Sequence, residues 1–338
     1  MYGDDYRRSG FRFDTANHSP SVAARERKII SVSAPETYLS IDKSNLIQNR
    51  EPPNESNGSI SSTMNQSNEN VSIYVFHYKD GEPFPELNGY HHIFCGKALH
   101  SGNSQLTGDD SGENISSKNP FYSELTGIYW AYKNQQSDIV GTCHYRRFYA
   151  VSKEPLFYRA KRFLYHLAGI HTGRHGLIYS SRPDYWKDKI LTTRQARELL
   201  KHYDAIMPQK RKLRQSIEEH YVKYHNANDL TLLRAIIEEQ SPSLTASFEE
   251  AMVHEQLYAN NMMIMKRPLF DELCHWLFDI LFEFERRINL AHYSEYQQRI
   301  LGFLSERLIT AWVHHKQLKV KELQLIYLKK LKKRHFLA

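Results

Sequence analysis

The chain has 338 residues, 41% hydrophobic and 25% charged, which is enough to bury one large α/β core or two smaller ones and too ordinary in charge for a wholly disordered polymer. A formal charge of +7 suits anionic partners such as nucleic acid, phospholipid headgroups or a diphosphate-bearing substrate, without choosing among them. Cys95, Cys143 and Cys274 are dispersed, which argues against a disulfide framework or structural zinc, and no apolar run has the length of a membrane span or the form of a signal peptide. A reducing cytoplasm is the expected location, at most peripheral to the inner face of the plasma membrane.

Residues 1–70 are rich in Ser and Asn, with little apolar periodicity, and are expected to form a disordered tail. Order is expected from Val71, where VSIYVFH reads as a buried strand over 71–77, followed by a second strand over 92–95. A polar loop, residues 107–120, leads to a helix with Asn119 as its cap and Pro120 at the first helical position. Phe121, Leu125, Ile128, Tyr129 and Tyr132 give that helix an apolar face. A strand over 138–143 then delivers His144, Tyr145, Arg146 and Arg147.

Residues 151–190 read as a basic, aromatic insertion that covers a site or touches a partner. Helices are expected over 191–202, 217–227, 230–240, 269–290 and 302–318, and strands over 203–208 and 261–265. The end, residues 321–338, reads as a basic amphipathic tail suited to an anionic membrane surface. The alternation of strands and helices predicts an α/β sheet with crossover connections, in which ligands bind beyond the carboxyl ends of the strands.

Two polar clusters fall at such ends. Asp109, Asp110, Asn114 and Lys118 offer carboxylates and an amide for ribose hydroxyls or a metal, and a lysine for phosphate, although the spacing is neither a Walker loop nor GxGxxG. An ordinary solvated loop explains the same residues about as well. In the second cluster, the guanidinium forks of Arg146 and Arg147 match diphosphate oxygens. If the strand continues, His144 and Arg146 share one side, and Tyr145 and Arg147 the other. Glu306 is expected in the first turn of a helix capped by Ser305, where an acid serves either as a general base or simply as a partner for the helix dipole. No spacing of the 18 histidines suggests zinc, and no RRM, KH or helix-turn-helix signature supports nucleic-acid binding.

Five ordered segments between residues 72 and 318 carry a resemblance: NISSKN, ELTGIYWAYKN, HYRRF, NMMI and SERL. Together they resemble a bacterial family of capsular and exopolysaccharide glycosyltransferases long carried as a domain of unknown function. The resemblance implies a GT-A-like, Rossmann-type nucleotide-sugar domain with a mixed sheet and added C-terminal helices, spanning residues 71–320. It implies transfer of a hexose from a nucleotide sugar, UDP-linked, to a lipid-linked or oligosaccharide acceptor in capsule, exopolysaccharide or O-antigen synthesis.

In that reading Glu306, His144 and Arg146 are catalytic. Asp109, Asp110, Asn114, Lys118, Asn119 and Arg147 contact the donor, and Glu124, Asn261 and Arg307 contact sugar or acceptor. GT-A enzymes hold Mn or Mg on a D-x-D pair, which this chain lacks at the comparable strand end. Cationic side chains are therefore expected to neutralise the leaving diphosphate, with Asp109 and Asp110 as the fallback metal site. A sugar-phosphate transferase and a non-catalytic membrane- or RNA-binding module are the alternative readings.

Overall fold

A computed structural model describes residues 69–79, 84–101, 104–167, 177–290, 293–294 and 296–329. The expected Ser/Asn-rich tail, apart from Glu69 and Asn70, and the last nine residues of the basic tail lie outside the described residues. In chain order the first half forms β1 (Val71–His77), β2 (Tyr90–Phe94), β3 (Thr107–Gly108), α1 (Asn119–Tyr122), α2 (Leu125–Asn134), β4 (Ile139–His144), β5 (Arg147–Tyr149), α3 (Leu156–Leu167), β6 (Leu177–Ser180), α4 (Pro183–Lys187) and α5 (Thr193–Leu199). The second half forms β7 (Ala205–Pro208), β8 (Arg211–Lys212), α6 (Ile217–Tyr224), α7 (Ala227–Gln240), α8 (Thr245–Val253), β9 (Gln256–Leu257), β10 (Ile264–Lys266), α9 (Arg267–Arg287), α10 (Ile300–His315), β11 (Val320–Leu323) and β12 (Leu325–Leu328).

The α/β class is as expected, with a mixed, mostly parallel central sheet. Its strands run β11-β7-β10-β4-β1-β2-β3, with β5, β12 and β6 continuing from β4 as a branch. β1 is parallel to β2 and β4, whereas β10 enters antiparallel between β4 and β7. Strand alternation splits the apolar residues between two layers. Tyr74 and Phe76 of β1 join Met265, Leu277 and Leu308 on one face. Ile73 and Val75 join Ile139, Phe148, Trp186 and Ile264 on the other. This double-sided burial is why VSIYVFH reads as a continuous apolar run rather than an alternating one. Helix α2 lies so close to the sheet that a β-carbon at Gly127 would overlap the side chains of Phe76 and Cys95.

Several expected elements differ. The helix expected from Asn119 is broken at Ser123 (φ 52°), and Asn119 does not cap it; its amide donates to Ser123 O and Thr126 Oγ1 instead. The last long helix starts at Ile300, so Ser305 is not its cap and Glu306 lies within it, buried. Residues 320–328, read in part as amphipathic tail, form β11 and β12 inside the sheet. The 151–190 insertion likewise contributes β6, which pairs with β12, so it belongs to the sheet as well as to the surface. Helix α8 was not expected at all; its residues carry only a weak apolar period, and Phe248, Ala251 and Met252 are buried by packing with α10.

Candidate active site

Parallel pairing brings the carboxyl ends of β1 and β4 level, with Phe76 opposite His144. Because β10 is antiparallel, the segment before it, Asn260–Met263, lies over that same end. Thr142 fixes the approach: its amide donates to Met263 O at 2.8 Å, and its hydroxyl accepts from Met263 N at 2.9 Å. The turn before α2 places Glu124 beside this segment, and α10 closes it from behind.

A buried polar network joins these pieces. His144 Nε2 lies 2.6 Å from Asn260 O. A carbonyl only accepts, so Nε2 carries the proton and Nδ1 is left as an acceptor. Asn260 N–H donates to Glu306 Oε1 at 2.7 Å. Asn261 Nδ2 donates to Glu124 Oε1 at 2.8 Å, and Asn261 Oδ1 accepts from Ser305 Oγ at 2.8 Å. Glu124 Oε1 stands 3.9 Å from His144 Nε2. Behind them Arg307 donates from Nη1 to Glu306 Oε2 at 3.1 Å and to Phe303 O at 2.8 Å, while its Nη2 lies 3.2 Å from His220 Nδ1.

Backbone strain is concentrated here. Among the described residues, the non-glycine positions with positive φ are Ser123 (52°), Asn260 (80°), Asn261 (47°) and Gln317 (50°). The first three hold Glu124, His144 and Glu306 in place. Left-handed backbone costs an L-residue roughly 1–2 kcal/mol, least for Asn, and its clustering marks a place where geometry outweighs stability.

Burial sets the charge states. It pushes the His144 imidazole down to about 4, against the opposing pull of Glu124, and Arg147 pushes it further the same way. His144 is therefore neutral at pH 7, and Arg146 and Arg147 are the cations of the HYRR segment. Burial also pushes Glu124 up, but the His144 imidazolium, which forms only in the acid range where the carboxyl itself titrates, together with the Arg299 charge and the Asn261 hydrogen bond, outweighs it and holds the carboxyl below its ordinary range. Glu306 is pushed above that range by burial, with Arg307 and the Asn260 N–H pulling the other way. One carboxylate is thus ionised and half-buried, while the other is enclosed and committed to its neighbours.

The HYRR segment does not continue as a strand. It turns at Tyr145–Arg146 and returns as β5, with His144 paired to Arg147. The alternation expected for a continuing strand therefore does not hold, because a hairpin places Arg147 opposite His144. The Arg146 guanidinium rests 4.9 Å above the Tyr145 ring, whose hydroxyl donates to Tyr78. The Arg147 guanidinium rests 5.6 Å from the Tyr327 ring of β12. Arg146 Nε is buried and has no hydrogen-bond partner among the described residues. An unmade buried donor of this kind costs about 1–3 kcal/mol, which an anionic oxygen would relieve.

Asp109, Asn114, Lys118 and Asn119, expected on the donor, are engaged within the chain. Asp109 is fully buried and accepts from the backbone N–H groups of Gly96 and Lys97 and from Ser116 Oγ, tying the loops after β2 and β3 together. Asp110 is exposed. Asn114 donates to Asp110 O and Gly112 O, shaping its own loop. Lys118 pairs with Glu285 at 2.6 Å, on the α9 side of the fold. Asn119 holds the turn that presents Glu124. The structure thus joins Glu124, His144, Asn261, Glu306 and Arg307, sets Arg146 and Arg147 on the adjoining hairpin, and leaves Asp110, Asn114 and Lys118 outside that cluster.

Asn260, Ser123, Arg299 and His220 also belong to this cluster, and no motif marks them. The Asn-Asn pair ahead of a strand was the one available signal for a strained turn, since Asn tolerates positive φ. The end of β4 and the hairpin after it offer an imidazole committed to a carbonyl and two guanidinium cations, a donor set that does not fit a divalent metal. Among the described residues, no group of three or more His, Cys, Asp or Glu side chains is placed to hold one.

An α/β domain with a strained polar cluster at its strand ends is the class of protein that fold and site define. The chain belongs to the family described as a domain of unknown function, DUF4422, which matches residues 72–317 and so takes in the described sheet apart from β11, β12 and the first residue of β1. It is also similar to a solved structure, the WbbM bifunctional glycosyltransferase in its apo form, at 28% identity and a TM-score of 0.67. That similarity covers 78% of this chain but 46% of WbbM, so the chain spans less than half of that protein's length. Comparison with curated proteins finds no match.

Proposed function

We propose that the chain is a glycosyltransferase that moves a hexose from a nucleotide sugar, UDP-linked, to a lipid-linked or oligosaccharide acceptor in bacterial capsule, exopolysaccharide or O-antigen synthesis. The similarity to part of a bifunctional glycosyltransferase supports the reaction class. The observation that carries the reading is the juxtaposition of an ionised, half-buried Glu124 with an Arg146–Arg147 hairpin at the same sheet end.

In the proposed step the acceptor hydroxyl attacks the anomeric carbon, forming the new glycosidic C–O bond as the bond to the diphosphate oxygen breaks. The hydroxyl proton passes to the Glu124 carboxylate, and the bonding electron pair leaves on the nucleoside diphosphate. Arg146 and Arg147 neutralise that leaving charge. A single displacement of this kind inverts the anomeric centre. Neutral His144 and Asn261 hold Glu124 and the Asn260 turn in register. Glu306, the base expected from sequence, serves here as a positioning residue, since both its oxygens are taken by Asn260 N–H and Arg307.

Incubation with UDP- and GDP-sugars and a lipid-linked oligosaccharide tests the reading. Release of nucleoside diphosphate with growth of the acceptor is the expected result. Release of nucleoside monophosphate would instead show a sugar-phosphate transferase, and binding of nucleotide sugar with no release would show a non-catalytic module.

A further inference from the structure

We infer that helix α3, Leu156–Leu167, is an interfacial anchor that seats this chain on an anionic phospholipid surface. The helix carries its apolar side chains outward. Leu156, Phe157, Phe163, Leu164 and Leu167 are 77%, 73%, 61%, 63% and 66% exposed, although a helix packed on a core normally buries such residues. At about 100° per residue, these five and Ala160 fall within one sector of about 120°.

Tyr158 lies on the opposite side of the helix and, among the described side chains, packs it against the fold. Its ring packs 5.7 Å from buried Trp186, and its hydroxyl lies 3.3 Å from Ser180 Oγ. The helix is thus attached through its aromatic side, with its apolar stripe turned to solvent.

Charge decides what covers that stripe. The helix sequence LFYRAKRFLYHL contains Arg159, Lys161 and Arg162 and no carboxylate. Exposed Lys153 precedes it, neighbouring Glu154 is buried, and on the α4 segment that Tyr158 packs against, Asp184 and Asp188 are outnumbered by Arg182, Lys187 and Lys189. An apolar face on a purely cationic helix matches acyl chains beneath anionic headgroups, and it does not match an acid-balanced protein interface. The basic end of the chain adds to this. Exposed Lys329 donates its N–H to Ser180 O, the residue that Tyr158 touches, which sets a further cation at the foot of the helix.

The anchor also lies at the end of the sheet that bears the candidate site. Ser180 pairs with Leu328, whose N–H donates to Arg146 O. A bilayer touching α3 would therefore lie beside the Arg146 hairpin, where a lipid-borne acceptor would arrive. That consequence rests on the glycosyltransferase reading, whereas the anchoring itself does not.

The test is vesicle flotation of the full chain, which needs no turnover and so fails or succeeds independently of the proposed reaction. Vesicles of phosphatidylcholine with about 30 mol% phosphatidylglycerol should carry the protein, and phosphatidylcholine alone should carry at least about tenfold less. Phe163→Glu with Leu164→Glu should lower the bound fraction at least about tenfold while leaving the melting curve in place, because both side chains are already exposed. Phe163→Trp should show a blue-shifted emission on the anionic vesicles only. Absence of flotation, equal flotation of the double variant, or a face covered by a second copy (a dimer in sedimentation that the double variant dissolves, with no flotation) would each overturn the inference.

Discussion

Removing one charge from the pair behind the site should be more harmful than removing both. Glu306 and Arg307 are both buried, joined at 3.1 Å, and Glu306 also accepts the Asn260 N–H. In Glu306→Gln the amide oxygen keeps the Asn260 hydrogen bond, but Arg307 retains a buried charge whose remaining partners, Phe303 O and His220 Nδ1, are neutral acceptors. Breaking one side of a buried pair costs about 3–5 kcal/mol. With an m-value of about 3 kcal/mol/M, the urea midpoint should fall by about 1–1.7 M at pH 7.

The double variant Glu306→Gln with Arg307→Met removes the stranded cation and replaces it with an apolar chain of similar length. It should recover most of that loss, because an ion pair exchanged for apolar residues is close to neutral. The pH dependence carries its own sign. A carboxyl raised in the folded state favours folding below its unfolded value of 4.5, and that contribution is lost as pH rises through the folded value. Glu306→Gln should remove this part of the decline in stability toward neutral pH. A single variant as stable as the parent, or a double variant no better than the single, would refute the reasoning.

Other expectations concern the chemistry and the loops. Glu124 is held below 4.5 and His144 titrates at about 4, so neither should place an acid limb of kcat/KM with its midpoint above pH 4.5; a midpoint near about 6.5 that persists in Glu306→Gln would mean that an ordinary histidine controls the rate. Arg146→Ala should weaken nucleoside diphosphate binding about 10- to 100-fold in calorimetry, and Arg146→Lys should not restore it, since an ammonium lacks the planar fork. Asp109→Ala should cost about 3 kcal/mol or more in chemical denaturation by stranding the Gly96 and Lys97 amides, with donor affinity unchanged in the folded protein. Weakened donor affinity at unchanged stability would return Asp109 to the donor site.

What could be read in the sequence was what local pattern encodes. The apolar run at 71–77, the strand delivering HYRR and the polar residues around 261 were all visible, because burial on both sheet faces and strand-end placement leave a period or a boundary. What could not be read depends on partners distant in the chain. Asp109 looks like any loop acid until Gly96 and Lys97 fold back onto it. Glu306 looks like a helix-start acid, because nothing local says that α10 begins at Ile300 or that Asn260 and Arg307 occupy both oxygens. The break at Ser123 is invisible to propensity; it is held by Asn119 and by Arg299, whose Nε donates to Ser123 Oγ. Strands β11 and β12 were hidden by the lysines that follow them, which pull a compositional reading toward a tail.

The central claim is that Glu124 takes the proton of an acceptor hydroxyl at a glycosyl-transfer site. Single-turnover transfer from a UDP-sugar by the parent and by Glu124→Gln, with donor affinity measured in parallel, tests it most directly. The account predicts transfer with release of nucleoside diphosphate in the parent, and a rate lowered by about 10²–10⁴ in the variant at nearly unchanged donor affinity. Equal transfer rates in the two proteins would contradict it, as would a parent that binds the donor and releases no nucleoside diphosphate.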